Sequence, residues 1–284
     1  MDESQNQKKY RLGYALGGGG AKGFAHLGAF KVFEKYGIKP DIIAGTSAGA
    51  LAGVLYADGF APEEIADLFR GHKLMDFAEL SLFSGGLLKP SGVARMLKKN
   101  LRAKNFEQLK IPFVAVATNW ETAEITAFRE GDDLVSAVVA SCTVPIVFQP
   151  LKIKGVEYVD GGVLKNFPVS VIREETECVV GINLYQLSPF ESPSSIKSSA
   201  MRYFEIISKA NMKEDIELAD ILIDMKGLKD YKMFELKAID DIVNQGEETT
   251  SDIISDPSVC QELMRMCSHQ STGKQRERLF CLFD

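Results

Sequence analysis

Residues 10–23 read YRLGYALGGGGAKG and residues 41–49 read DIIAGTSAG. Each is a short apolar run of strand length that ends in a glycine-rich turn. A helical pattern follows each, Ala21 to Tyr36 after the first and Ala48 to about Asp58 after the second. Further strand-like runs are Phe113 to Thr118, Cys178 to Leu184 and, less marked, Ile221 to Met225. Strands that alternate with helices predict an α/β fold with a largely parallel sheet covered on both faces. Between Phe148 and Val159 the text changes to two extended runs flanking Lys154-Gly155, which predicts a hairpin.

With 45% apolar and 25% charged residues, 24 Gly and 10 Pro, the 284-residue chain is close to average for a soluble globular protein, which excludes a disordered, collagenous or disulfide-framework reading. The length allows one large or two small domains. Without a repeat or a long linker, one domain over residues 10–250 is expected, after a disordered lead-in at 1–9. Residues 251–284, with Asp256-Pro257 near their start and Leu279, Phe280, Leu282 and Phe283 near their end, form a helical extension whose role the text does not reveal. No run reaches the roughly 18 apolar residues of a membrane span, and Met1 to Arg11 lacks the apolar core of a signal peptide, so a cytoplasmic location is expected. The five cysteines, Cys142, Cys178, Cys260, Cys267 and Cys281, have neither CxxC nor zinc spacing, which suits a reducing compartment and predicts no structural metal.

A formal charge of −6 disfavours nucleic acid as a partner. The distribution is uneven: Lys89 to Lys110 holds seven basic residues against Glu107 alone, leaving −12 on the remainder. Such a run is the solvated face of a helix whose stripe is Val93, Met96, Leu97 and Leu101, or a contact for an anionic membrane surface. The neighbouring stretch Leu74 to Leu88 is unusually apolar for a loop region. It reads as core, or as a cap that lines an acyl channel or dips into an interface.

Four consecutive glycines, Gly17 to Gly20, let successive amides turn toward one point beside a helix N-terminus, which predicts an anion-binding loop. A P-loop needs Gly-Lys-Ser/Thr, whereas Lys22 sits between Ala21 and Gly23. A dinucleotide loop remains open, since Gly18-x-Gly20-x-x-Gly23 fits its pattern and Asp41 lies near the position of its ribose acid. Gly45-Thr46-Ser47-Ala48-Gly49 is a Gly-x-Ser-x-Gly between a strand and a helix, the context of a nucleophile elbow, where Ser47 is the nucleophile; Thr46 or Ser47 as a helix cap is the plain alternative.

Three histidines are available as bases. His269 alone has the chain order to complete a triad with Ser47 and Asp160, but its surroundings are polar; His26 reads as a packed helical residue, and His72 lies in a loop. Asp160, followed by Gly161 and Gly162, reads either as an ordinary turn residue or as a carboxylate set close against other backbone.

Gly18 to Gly23, Gly45 to Gly49 and Asp160 to Gly162, in this order and spacing, resemble the patatin-like phospholipases, closest to the short bacterial members and to the catalytic domain of neuropathy target esterase. Ala140-Ser141, Pro145, Phe148 and Pro150 before the aspartate, and Asn166-Phe167-Pro168-Val169 after it, are similar as well. The likeness covers about residues 10–250. It implies a three-layer α/β/α sandwich, and lipid acyl hydrolysis by a Ser47/Asp160 dyad without histidine. It also implies an oxyanion hole from the amides of Gly18, Gly19 and Gly20, with Lys22, Gly23, Gly45, Gly49, Gly161 and Gly162 in support. Lys22 adds charge near that loop or faces solvent on the first helical turn. The substrate would be a phospholipid, a lysophospholipid or a simpler acyl ester, with no cofactor and no metal. A nucleotide-dependent enzyme and a catalytically silent lipid-binding regulator are the alternatives. Head group, acyl position and oligomeric state are not legible.

Overall fold

The computed structural model describes residues 8–77, 79–80, 88–187, 189–233 and 235–267. In chain order the elements are β1 (Tyr10–Leu16), α1 (Ala25–Lys35), β2 (Ile42–Thr46), α2 (Ala48–Ala57), α3 (Pro62–Asp67), β3 (Glu79–Leu80), β4 (Leu88–Lys89), α4 (Ser91–Asn100), β5 (Phe113–Asn119) and β6 (Glu124–Phe128). There follow α5 (Leu134–Ser141), β7 (Leu151–Ile153), β8 (Val156–Asp160), α6 (Ser170–Arg173), β9 (Thr176–Asn183), α7 (Ile196–Ala210), α8 (Lys213–Leu218), β10 (Ile221–Asp224), α9 (Ile239–Ile254) and α10 (Pro257–Cys267).

Strands β10, β9, β1, β2 and β5 lie side by side in that order, all parallel. Side chains of a strand alternate between faces, and β1 shows the consequence. Leu12, Tyr14 and Leu16 enter one apolar layer with α1, α2, α5, α9 and α10, while Ala15 joins Ile42, Ala44, Val114 and Val179 in a second layer under α6 and α8. The result is the expected three-layer α/β/α sandwich with a mostly parallel sheet.

The antiparallel part decides where the site forms. β6 runs along one edge of β5 from Ala115 to Asn119. The other edge is shared, with β2 pairing as far as Thr46 opposite Val116 and β8 taking over with Asp160 opposite Ala117. β2 is parallel to β5 and β8 antiparallel, so their carboxyl ends meet head-on at two consecutive residues of β5. Lys154 and Gly155 turn the β7–β8 hairpin with positive φ at both positions, as a type I′ turn requires.

Several boundaries differ from those expected. The first helix opens as a tight 3-10 turn, Gly20–Phe24, whose Ala21 amide, one of the leading N–H groups without an acceptor inside the helix, donates to the Met233 carbonyl at 2.7 Å. Against the expected strand Asp41 to Ala44, β2 starts one residue later and runs two residues further, so that it leads directly into Ser47. A boundary at residue 250 falls inside α9, and α10 then adds Cys260, Leu263 and Met266 to the main core, so the described part of 251–284 packs as an integral layer. The rest of that extension lies outside the described residues, as do residues 1–7 of the lead-in; Lys8 is tied to the Arg173 and Thr176 carbonyls. No described helix is long and apolar enough to cross a membrane.

Candidate active site

Ser47 occupies the single-residue turn between β2 and α2 with φ 54° and ψ −119°, a conformation that L-residues adopt only under constraint. The turn is cramped. A Cβ on Gly45 would come within 2.5 Å of the Gly49 carbonyl oxygen, and one on Gly49 within 2.2 Å of that of Leu16. Holding such a φ/ψ costs about 1–3 kcal/mol. Ser47→Gly is therefore expected to be more stable than Ser47→Ala by about 1 kcal/mol, or roughly 2–4 °C in Tm. Thermal melts of the two variants in the opposite order would show the turn to be unstrained.

From this turn the Ser47 hydroxyl donates to Asp160 Oδ2 at 2.6 Å. The other carboxylate oxygen, Oδ1, accepts from the Gly162 amide at 2.7 Å. Asp160 is 1% exposed, and burial raises its pKa from 3.8 to about 7, with the Ser47 and Gly162 hydrogen bonds opposing the rise. Gly161 has no room for a side chain: where the chain leaves β8, a Cβ there would stand 2.3 Å from the Val116 carbonyl oxygen of β5.

A supporting frame keeps these groups in place. The Ser47 amide donates to Ser141 Oγ (2.9 Å), and that hydroxyl donates to the Val116 carbonyl (2.6 Å). Ser208 and Asn211, on the last turn of α7 and just after it, both donate to the Gly162 carbonyl at 2.9 Å. Asn211 Oδ1 also accepts from the Asn166 amide, and the Asn166 carbonyl accepts from Gly18, so one chain of bonds joins the aspartate turn to the glycine loop. Sequence reasoning gave no role to Ser208 or Asn211 and used Ser141 only as part of the family likeness at Ala140-Ser141.

The glycine loop differs from expectation in one donor. Gly18 N–H is committed to the Asn166 carbonyl at 3.0 Å, whereas among the described residues no carbonyl accepts from Gly19 or Gly20. Of the three glycines expected to present amides, Gly18 is thus already hydrogen-bonded. Lys22 does not face solvent: it is buried, its Nζ donates to the Gln186 carbonyl at 3.1 Å, and burial pulls its pKa down against the pull of Glu205 and Asp230. Gly23 packs against Ala48, the first residue of α2, bringing the loop against the elbow.

The remaining candidates are elsewhere. His26 is fully buried with Nε2 at 2.9 Å from the Gly17 carbonyl, and burial lowers its pKa to about 4, so it is a neutral packed residue. His72 is exposed beside Asp76, and His269 lies outside the described residues. Asp41 accepts from the Arg11 and Leu12 amides at the amino end of β2, the opposite sheet edge from the glycine loop, out of reach of a ribose bound there. Among the described residues no three His, Cys, Asp or Glu side chains converge as metal ligands would.

Ser47 opens on an apolar cavity of about 140 Å³ walled by Phe24, Leu27, Leu51, Ile65, Phe69, Phe77 and Phe148, with Cys142 and Met233 beside them. Phe77 brings the apolar stretch into the cavity wall as core, while Met75 is half-exposed; Leu82, Phe83 and Leu87 lie outside the described residues. In α4, Val93 and Leu97 are buried opposite the exposed Lys98 and Lys99, the amphipathic arrangement its sequence predicted.

A hydroxyl on a strained turn, a buried carboxylate within hydrogen-bonding reach, a glycine loop against the elbow and an apolar cavity together meet the requirements of nucleophilic acyl chemistry. The chain belongs to the patatin-like phospholipase family, whose model matches residues 14–172. It is 31% identical over 164 residues to an uncharacterized NTE family protein of Mycobacterium bovis, covering 57% of this chain and 45% of that one. To the lysophospholipase NTE1 of Mycosarcoma maydis it is 27% identical over 231 residues, 78% of this chain and 12% of that protein. The chain thus spans less than half the length of either relative. VipD from Legionella pneumophila has the same fold, with a TM-score of 0.57 at 16% identity over 87% of this chain and 67% of that one.

Proposed function

We propose that the protein is a serine lipid acyl hydrolase in which Ser47 is the nucleophile and Asp160 the general base. The observation that carries this is the 2.6 Å hydrogen bond between them at the mouth of an apolar cavity. Asp160 takes the hydroxyl proton as Oγ attacks an ester carbonyl, and returns it to the alcohol as the carbon–oxygen bond breaks. It then deprotonates the water that releases the fatty acid from Ser47. The tetrahedral oxyanion lies against the amides of Gly19 and Gly20, each such donor typically contributing about 2.7–4 kcal/mol to lowering the barrier. An acyl chain fills the cavity, which suits a phospholipid, a lysophospholipid or another acyl ester. The exposed lysines of α4 suit a peripheral contact with an anionic lipid surface.

A fluorophosphonate probe is expected to add one adduct per chain, located by peptide mass spectrometry on Ser47. Labelling elsewhere, or none, together with tight retention of a nucleotide, would favour the nucleotide-dependent alternative.

A further inference from the structure

Helix α7 has two occupied sides and one bare one. Inward, Phe204 and Met201 pack with Val144, Phe148, Met233 and Leu88, a cluster that shares three residues with the cavity wall beside Ser47. Its last turn holds the Gly162 carbonyl, as described above. Outward, Ile196 (91% exposed), Tyr203 (67%), Ile206 and Ile207 fall at helical spacing along one stripe, and Phe190 (72%), in the preceding loop, is exposed with its ring against Arg202. A monomer rarely leaves so many large apolar side chains together in water without a use for them.

We infer that this face of α7 seats the protein on an anionic lipid aggregate, holding at that surface the helix whose inner side packs on the cavity wall. The inference rests on the lipid hydrolase reading for its substrate, and on geometry and charge for the surface. Lys197 and Lys209 lie on the same helix, exposed and in no ion pair among the described residues, while Glu205 is matched by Arg202. At helical spacing Lys197 and Lys209 fall on either side of the stripe, so cations flank it along α7. The footprint argues against a second copy as the occupant. A standard protein interface takes 20–30 residues and about 800 Å² per partner. Four side chains on a four-turn helix with basic flanks match instead the way an amphipathic helix lies at the headgroup boundary.

The test is co-sedimentation of the full chain with phosphatidylcholine vesicles, with and without 30% phosphatidylglycerol. Wild type is expected on the anionic vesicles. Tyr203→Ser/Ile206→Ser should bind at least tenfold more weakly. Lys197→Ala/Lys209→Ala should lose about thirtyfold, and only on anionic vesicles. Ile196→Ser, at the most exposed position, should weaken binding without any effect on folding. All variants should keep the wild-type rate on soluble p-nitrophenyl acetate. Unchanged vesicle binding by Ile196→Ser and Tyr203→Ser/Ile206→Ser overturns the inference, as does a wild-type dimer on gel filtration that these substitutions dissociate. Vesicle binding without fluorophosphonate labelling of Ser47 would instead remove the hydrolase reading and leave the docking surface standing.

Discussion

Replacing Ser47 by alanine is expected to lower turnover of a p-nitrophenyl ester by about 10⁶-fold, to the background of the assay, with the fold intact. The side chain is small, its cavity is preformed and its backbone conformation is held by the close approach of Gly49 to Leu16, so the loss is chemical rather than structural. Asp160→Asn should be almost as severe. The amide preserves the shape and still accepts from Gly162, but it cannot remove the hydroxyl proton. Purified variants with wild-type circular dichroism and residual activity within tenfold of wild type would defeat the dyad.

The second large effect is in pH. A base with a pKa of about 7 must be ionised to act, so kcat/KM should rise tenfold per unit from pH 5 and level off above 7, about a hundredfold in all. A carboxylate of ordinary pKa would leave the profile flat over this range. The same shift has a stability consequence of opposite sign. The folded protein holds the Asp160 proton more tightly than the unfolded chain, so this contribution is fully present below pH 3.8 and disappears as the pH rises through about 7. At pH 8 the buried charge then costs up to about 4 kcal/mol. Asp160→Asn should therefore be more stable than wild type at pH 8, with the difference shrinking toward pH 4; denaturant midpoints at the two pH values measure it. The most active pH and the most stable pH are set apart by one residue.

Some of the site was readable because local chemistry dictates local structure. A strand entering Gly-Thr-Ser-Ala-Gly has few ways to turn into a helix, and the glycines two residues either side of Ser47 are required by contacts within that turn. The Lys154-Gly155 hairpin followed from the same kind of rule. The lone helical His26 was rightly taken as packing, because an apolar helix face offers no water to a charged imidazole. The Gly18 amide could not be assigned so. Its acceptor, Asn166, is brought there by long-range folding, and four glycines in a row show which amides are flexible but not which are spent. Of the two readings of Lys22, the solvent-facing one fails for a similar reason, since the Gln186 carbonyl that receives it is 164 residues away.

By itself the sequence determined the layered α/β architecture, the elbow at Ser47 and the family, because periodicity, turn chemistry and short motifs act over a few residues. The family likeness named Ser47 and Asp160 as a pair, but only the tertiary structure showed how they meet at 2.6 Å across 113 positions of chain. The physical cause is the shared edge of β5, where a parallel and an antiparallel strand end against each other at Val116 and Ala117, and hydrogen-bond register between distant strands is a property that no local pattern encodes.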